Sequence, residues 1–274
     1  MAIERSFVML STATRSIAVL LTAVVATAAG GEWSNLRGRI VYDGTPPVPP
    51  KIKVNKDEEV CGNYDLVDER LLVNAANHGI KNVIVTLVLG RGETTEVHPS
   101  YLETQEGNVA LDNTHCRFDP HVILLRTTQK LVIRNLDPIG NNVRIDVIKN
   151  QPINITVPFE TKHEQRFPNV ELMPARISCS IHSWELGWLV VKDHPYTAVT
   201  DDNGDFEIKN LPAGKRKFMF WQEKAGYLRE ITHMGKPQNW PRGTVELDLP
   251  PGDLDLQDIV VPASLFGGKT PRSQ

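Results

Sequence analysis

The chain has 274 residues, with 30 Lys and Arg against 33 Asp and Glu, a formal net charge of −3 and 41% hydrophobic residues. That length supports one large domain or two small ones with real cores, and ordinary apolar content with 23% charged residues excludes a disordered chain. The charge balance lacks the basic excess of a nucleic-acid-binding surface, and 19 Pro with 19 Gly point to many turns between short strands rather than a helical bundle.

The first thirty residues read as an address. Arg5 and Arg15 precede an apolar run from Ile17 to Ala29, which is shorter than the ~20 residues that cross a bilayer. Ala26-Thr27-Ala28 supplies a small-residue cleavage pattern. Residues 1–28 are therefore expected to form a secretory signal peptide, with an uncleaved anchor as the alternative. The mature chain is then secreted or periplasmic, with no membrane span after cleavage. Export places Cys61, Cys116 and Cys179 in an oxidising compartment. Three is an odd number, so one disulfide leaves one thiol, which survives there when it is buried or holds a metal.

Along the mature chain, Gly38 to Pro47 reads as a strand, an Asp43-Gly44 turn and a Pro-rich exit. The one helix expected lies around Asp65 to Ala76. Val83 to Leu89 and Leu189 to Val191 are apolar on both faces and are expected to be central strands. Val143, Ile145 and Val147 alternate with Arg144 and Asp146; Ile153, Ile155 and Val157 alternate with Asn154 and Thr156; Val245, Leu247 and Leu249 alternate with Glu246 and Asp248. Period two in short runs means half-buried antiparallel strands, so the fold class is all-β, a sandwich or a pair of them. Asn203-Gly204 turns one strand into the next, and Leu211-Pro-Ala-Gly214 makes the following corner. His194-Pro-Tyr196 marks a crossing between units, and residues 263–274 read as a flexible tail.

Two families are recognisable in this pattern. Asp43-Gly-Thr-Pro46 between strands, then Thr200-Asp-Asp-Asn-Gly-Asp-Phe-Glu-Ile-Lys-Asn-Leu-Pro-Ala-Gly214 before the aromatic run Phe218 to Trp221, resembles the carboxypeptidase-regulatory-like, transthyretin-like β-sandwich. The resemblance implies a discontinuous sandwich from residues 35–98 plus 195–262, with residues 99–194 as a second domain inserted in it or packed beside it. Within that segment, Phe118-Asp-Pro-His-Val122, Asn135-Leu-Asp-Pro-Ile-Gly-Asn141 and Cys179-Ser-Ile-His-Ser-Trp-Glu-Leu-Gly187, followed by Leu211-Pro-Ala-Gly214, resemble the cupredoxins, and among them the methylamine-utilisation-type proteins. A Greek-key sandwich and blue-copper electron transfer are what this resemblance implies. The chemistry needs a soft thiolate, two imidazoles and a weak axial thioether.

The chain departs from that pattern at named positions. Cys179 and His182 stand where the family has its thiolate and loop imidazole, but the upstream His falls on Asn141 and the axial Met on Glu185. A further family His falls on Gln222. With two of four ligand positions replaced, the expectation is a degenerate type 1 copper site on an exported, non-enzymatic binding or scaffold module. In such a site Cys179 is a buried small hydrophobe, and His182, Asn141 and Glu185 form a hydrogen-bonded polar cluster. Two alternatives stay open: a copper electron carrier with an unusual ligand set, whose partner would be a redox or envelope protein, and a Zn²⁺ site of Cys179, His182 and Glu185. Zinc would take its fourth ligand from water or from His98, His115, His121 or His163. Keeping Cys179 as the family's thiolate leaves Cys61 and Cys116 as the disulfide pair, the alternative being three reduced thiols. No nucleophile elbow, His-Glu-x-x-His or phosphate loop is present, so no enzyme is expected.

Overall fold

Alternation sets the elements. In the strand Asn141–Asp146, Val143 and Ile145 are buried while Arg144 and Asp146 face solvent, and Thr244–Leu249 buries Leu249 while exposing Glu246 and Asp248. The computed structural model describes residues 1–2 and 32–267, so the leader read at 1–28 lies outside the described residues apart from its first two. Residues 32–267 form one compact unit. Among the described residues no helix is long and apolar enough to cross a membrane.

Four sheets stack as two sandwiches. In the first, Asp205–Pro212, Trp33–Asp43, Gly252–Pro262, Glu230–His233 and Lys236–Asn239 lie side by side in that order. They face a sheet of Thr197–Val199, Ile84–Leu87, Gly214–Gln222 and Gly226–Tyr227, with Thr244–Leu249 also paired to Gly214–Gln222. Its core, including Leu36, Ile40, Val85, Phe206, Phe218 and Phe220, draws its buried residues from 36–87 and 196–266. The second sandwich pairs Val122–Arg126, Leu186–Lys192, Ala175–Ser178, Asn141–Asp146 and Ile153–Val157 against Arg117–Asp119, Asn108–Thr114, Lys130–Asn135 and Lys162–Arg166. Its buried core comes from residues 111–191.

The seam explains the strands that are apolar on both faces. Ile84, Val122, Val190, Met219 and Trp221 form a separate buried cluster, and Trp188 meets Trp221 edge to face at 4.6 Å. Ile84–Leu87 and Leu189 to Val191 thus turn one face to their own core and the other to the neighbouring sandwich.

The structure corrects three expectations. Pairing is not uniformly antiparallel: Trp33–Asp43 runs parallel to Gly252–Pro262, Leu186–Lys192 to Val122–Arg126, and Asn108–Thr114 to Lys130–Asn135. Alternation reports which face a residue occupies, not the direction of the neighbouring strand. The stretch Asp65 to Ala76 is not helical; among the described residues the α-helix is Glu58–Cys61. Asp68 and Asn74 side chains instead accept the amides of Arg70 and Ala76 two residues on, a local bond that competes with helix. The tail read from residue 263 is held further than expected: Ala263–Phe266 is a 3-10 turn whose Phe266 packs on Tyr42 at 5.5 Å. Residues 268–274 lie outside the described residues.

The turn at Asn203-Gly204 forms, but it carries the chain from Thr197–Val199 in one sheet to Asp205–Pro212 in the facing one, and does not join two paired strands. Gly204 has φ +79, and a Cβ there would collide with the Ile40 carbonyl and with Gly79.

Two buried histidines give the fold opposed pH limits. His121, just before Val122–Arg126, bridges the sandwiches: its Nε2 lies 2.7 Å from Glu223 Oε2 and its Nδ1 3.4 Å from Glu69 Oε2. Arg117 pairs with Glu69, and Arg70 lies close to Glu223. Burial alone would depress His121, but the two carboxylates overcome it and raise its pKa to about 9. Its stabilisation is complete below the unfolded value near 6.5 and is lost as pH rises through about 9. His194, stacked on Tyr196, is pushed down to about 4 by burial, with Lys192 adding to it. It stabilises the fold above pH 6.5 and loses that contribution as pH falls toward 4. Denaturant unfolding is therefore expected to show maximal stability near neutrality, falling as pH drops toward 4 and as it rises through about 9, with His182, raised to about 10, adding to the alkaline fall. His121→Gln should shrink the alkaline limb by about 2–3 kcal/mol and leave the part due to His182; an unchanged limb would contradict this assignment.

Candidate metal centre

The strand Ala175–Ser178 buries Ile177 between the sheets, so Cys179, two residues on, points the same way and is 5% exposed. The chain then turns back within seven residues to enter Leu186–Lys192. Cys179 N–H donates to the Glu185 carbonyl at 3.2 Å, and Glu185 N–H to the His182 carbonyl at 3.0 Å. This closed loop brings one ligand atom each from Cys179, His182 and Glu185 within 4.8 Å of one another, all three residues buried. His182 Nδ1 lies 3.7 Å from Cys179 Sγ and 3.1 Å from Glu185 Oε1. His182 N–H donates to Cys179 Sγ at 3.3 Å.

Each far atom of these side chains has its own partner. Asp57 Oδ2 lies 2.8 Å from His182 Nε2, and Asn113 Nδ2 donates to Glu185 Oε2 at 3.1 Å. Asp57 arrives on an arm that packs Cys61, Leu66 and Cys116 against Trp184, and Trp184 Nε1 donates to the Cys116 carbonyl at 3.0 Å. A Cys61–Cys116 disulfide ties the arm down across 55 positions, while Cys179 is free and buried. Asp57 itself has φ 47 at the head of the short helix Glu58–Cys61, which leaves its carboxylate free to cap the imidazole.

Burial would depress His182, but its close contacts with Cys179, Glu185 and Asp57 outweigh it and lift its pKa to about 10. Glu185 is pushed up by burial, an effect that His182 and Asn113 oppose and Asp137 reinforces. Although Nδ1 is close, the contact is out of line for a hydrogen bond, so Glu185 Oε1 is buried without a hydrogen-bond partner; so are Asn113 Oδ1 and Asn141 Oδ1. Buried acceptors left in this way are uncommon in native folds.

Asn141 is fully buried, and its parity with Val143 and Ile145 sets it on the interior face of its strand. Its Nδ2 donates to Asn135 Oδ1 at 2.9 Å and approaches Asp137 Oδ2 at 3.5 Å, while Asp137 Oδ2 also accepts the Cys116 amide at 2.9 Å. Gln222 lies elsewhere, with its amide donating to the Arg70 carbonyl and accepting the Lys224 and Ala225 amides in the turn after its strand. The four histidines considered as a fourth ligand do not join Cys179, His182 and Glu185 among the described residues. His98 meets Trp33, His115 meets Tyr64, His121 is held by Glu69 and Glu223, and His163 sits on Lys162–Arg166. Trp188 belongs to the seam and Trp184 to the arm contact.

Sequence reading missed Asp57 and Asn113. Asp57 stands 125 positions before His182, and only the Cys61–Cys116 pairing signals that its segment comes near.

The donor set fits type 1 copper poorly. Cys179, His182 and Glu185 offer one thiolate, one imidazole and one hard carboxylate, where that chemistry takes two imidazoles and a weak thioether beside the thiolate. Beside the loop opens a cleft of about 440 Å³ between the arm and Ser183 to Leu186, with Glu69, Arg70, Arg117 and His121 in its wall.

No protein-family model and no curated protein matches the chain. Parts of the chain align with solved structures of a Cu-containing nitrite reductase from Thermus scotoductus SA-01 (TM-score 0.28, 16% identity, 38% of this chain and 25% of that one). A purple cupredoxin from Nitrosopumilus maritimus aligns at TM-score 0.26 and 15% identity, over 32% of this chain and 100% of that one. A reduced amicyanin variant aligns at TM-score 0.29 and 14% identity, over 39% and 98%. The matched part spans 25% of the reductase's length.

Proposed function

We propose that this chain is an exported, non-enzymatic protein in which a cupredoxin-like sandwich, residues 99–194, is inserted in a carboxypeptidase-regulatory-like one. In this reading the former copper pocket has become a buried polar centre, and the chain acts as a binding or scaffold module of the cell envelope. The observation that carries it is the placement of Glu185: its carboxylate oxygen lies 3.1 Å from the His182 ring nitrogen, where the resemblance puts a weak thioether. A charged oxygen so close to the metal-facing nitrogen disfavours a soft cuprous centre. The Cys61–Cys116 disulfide supports export, and the cleft beside the loop, with both charge signs in its wall, supports a binding role.

A second reading, copper electron transfer with an unusual ligand set, draws on the 3.7 Å spacing between Cys179 Sγ and His182 Nδ1. Elemental analysis of the exported chain, purified without chelators, separates the two. Copper far below one atom per chain is expected, and stoichiometric copper would overturn the proposal.

A further inference from the structure

We infer that Cys179, His182 and Glu185 bind a zinc ion through Sγ, Nδ1 and Oε1, with water in the fourth position. The inference rests on the reading that this pocket no longer serves copper. Three features support it independently of any resemblance.

The first is spacing. Tetrahedral zinc with a thiolate at ~2.3 Å, an imidazole at ~2.0 Å and a carboxylate at ~2.1 Å sets ligand atoms roughly 3.4–3.6 Å apart. The observed separations are 3.7 Å from sulfur to nitrogen and 3.1 Å from nitrogen to oxygen, with all three ligand atoms within 4.8 Å of one another, a spread that side-chain shifts can close.

The second is the state of the outer atoms. Zinc-bound histidines generally give their other ring N–H to a carboxylate, and ligating carboxylates are held by donors on the far oxygen. Asp57 takes His182 Nε2–H, and Asn113 holds Glu185 Oε2. Both bonds turn the remaining donor atom of each side chain toward Cys179.

The third is the unpartnered oxygen. Glu185 is 1% exposed, and its Oε1, the atom nearest Nδ1, has no hydrogen-bond partner. A divalent cation would satisfy it and balance the thiolate and carboxylate charges together. Asn113, whose Nδ2 already holds Glu185 Oε2, has its Oδ1 buried without a partner and is an available acceptor for the bound water. Binding releases the Cys179 and Nδ1 protons to solvent and changes no oxidation state. The donor set of one soft, one borderline and one hard atom suits Zn²⁺ better than Ca²⁺ or Mg²⁺, which take oxygen alone.

The test uses the full exported chain, stripped with a chelator and dialysed against Zn²⁺ or Co²⁺ alone. One zinc per chain, a raised Tm and the d–d bands of a tetrahedral thiolate–Co²⁺ complex are expected. C179S and E185Q should each weaken zinc binding at least tenfold. D57N, which touches only the far side of the imidazole, should weaken it by about ten- to a hundredfold. A folded unaltered chain that takes up no more zinc than C179S, and shows no tetrahedral Co²⁺ bands, overturns the inference. The Co²⁺ spectrum needs no variant, so the result stands even if a substitution impairs folding. Failure to bind zinc with copper also absent sinks this inference alone, whereas stoichiometric copper sinks the functional reading beneath it.

Discussion

A chain carrying both N141H and E185M is expected to bind copper at least about a hundredfold more tightly than the unaltered protein, and to gain an intense thiolate-to-copper absorption. Both positions are prepared for the change. Glu185 and Met have similar length, so a thioether at 185 can reach the place where the carboxylate now lies, and an unbranched side chain adapts to a packed pocket. The exchange also removes a buried acid whose pKa burial has pushed up, together with an oxygen that lacks a partner. Position 141 is fully buried on the interior face that also carries Val143, and Asn135 Oδ1, now accepting from the Asn141 amide, can accept an imidazole N–H in its place. N141H alone should produce a weaker band and E185M alone little, because a second imidazole matters more than the axial donor. A double variant that folds, by circular dichroism, yet stays colourless with copper would mean that the pocket lacks the geometry inferred for it.

Removing the disulfide is the other large expected effect. Cys61 and Cys116 close a loop across 55 positions, and chain entropy assigns such a cross-link about 4 kcal/mol. Against a total of roughly 5–15 kcal/mol for a typical domain, that is a large share. The C61A/C116A chain should unfold at a lower denaturant concentration, with a Tm lower by roughly 10 °C. The damage should not spread evenly. The arm carries Asp57 onto His182 and packs Leu66 against Trp184, so residues 50–66 should become protease-sensitive and exchange amide hydrogens first. A loss below 1 kcal/mol, or protection of the arm unchanged, would contradict this role.

The strands were legible because their information is local. Val143, Ile145 and Glu246 each declare a face through period two, and Ile84–Leu87 declares burial on both faces because it lies between two hydrophobic layers. Parallel neighbours such as Trp33–Asp43 and Gly252–Pro262 were not legible, since register across some two hundred positions is fixed by packing rather than by pattern. The helix expected near Asp65 failed for a local reason that the residues did carry: Asp68 and Asn74 are strong formers of side-chain-to-backbone turns.

At the centre, Cys179, His182 and Glu185 could be found together because a three-residue spacing in one tight loop keeps them close in the fold. The far partners could not. Asp57 reaches His182 from another part of the chain, and Asn113 meets Glu185 from a strand of the facing sheet. His121 was weighed as a metal ligand and instead forms an ionic bridge, since Glu69 and Glu223 occupy its two ring nitrogens.

The most direct measurement is an optical and electrochemical titration of the unaltered exported chain with Cu²⁺. If the pocket has lost copper electron-transfer chemistry through Asn141 and Glu185, one equivalent of Cu²⁺ leaves the protein without an intense visible band and without a reversible couple. An intense band that saturates at one copper per chain, coupled to reversible one-electron reduction, would contradict that conclusion.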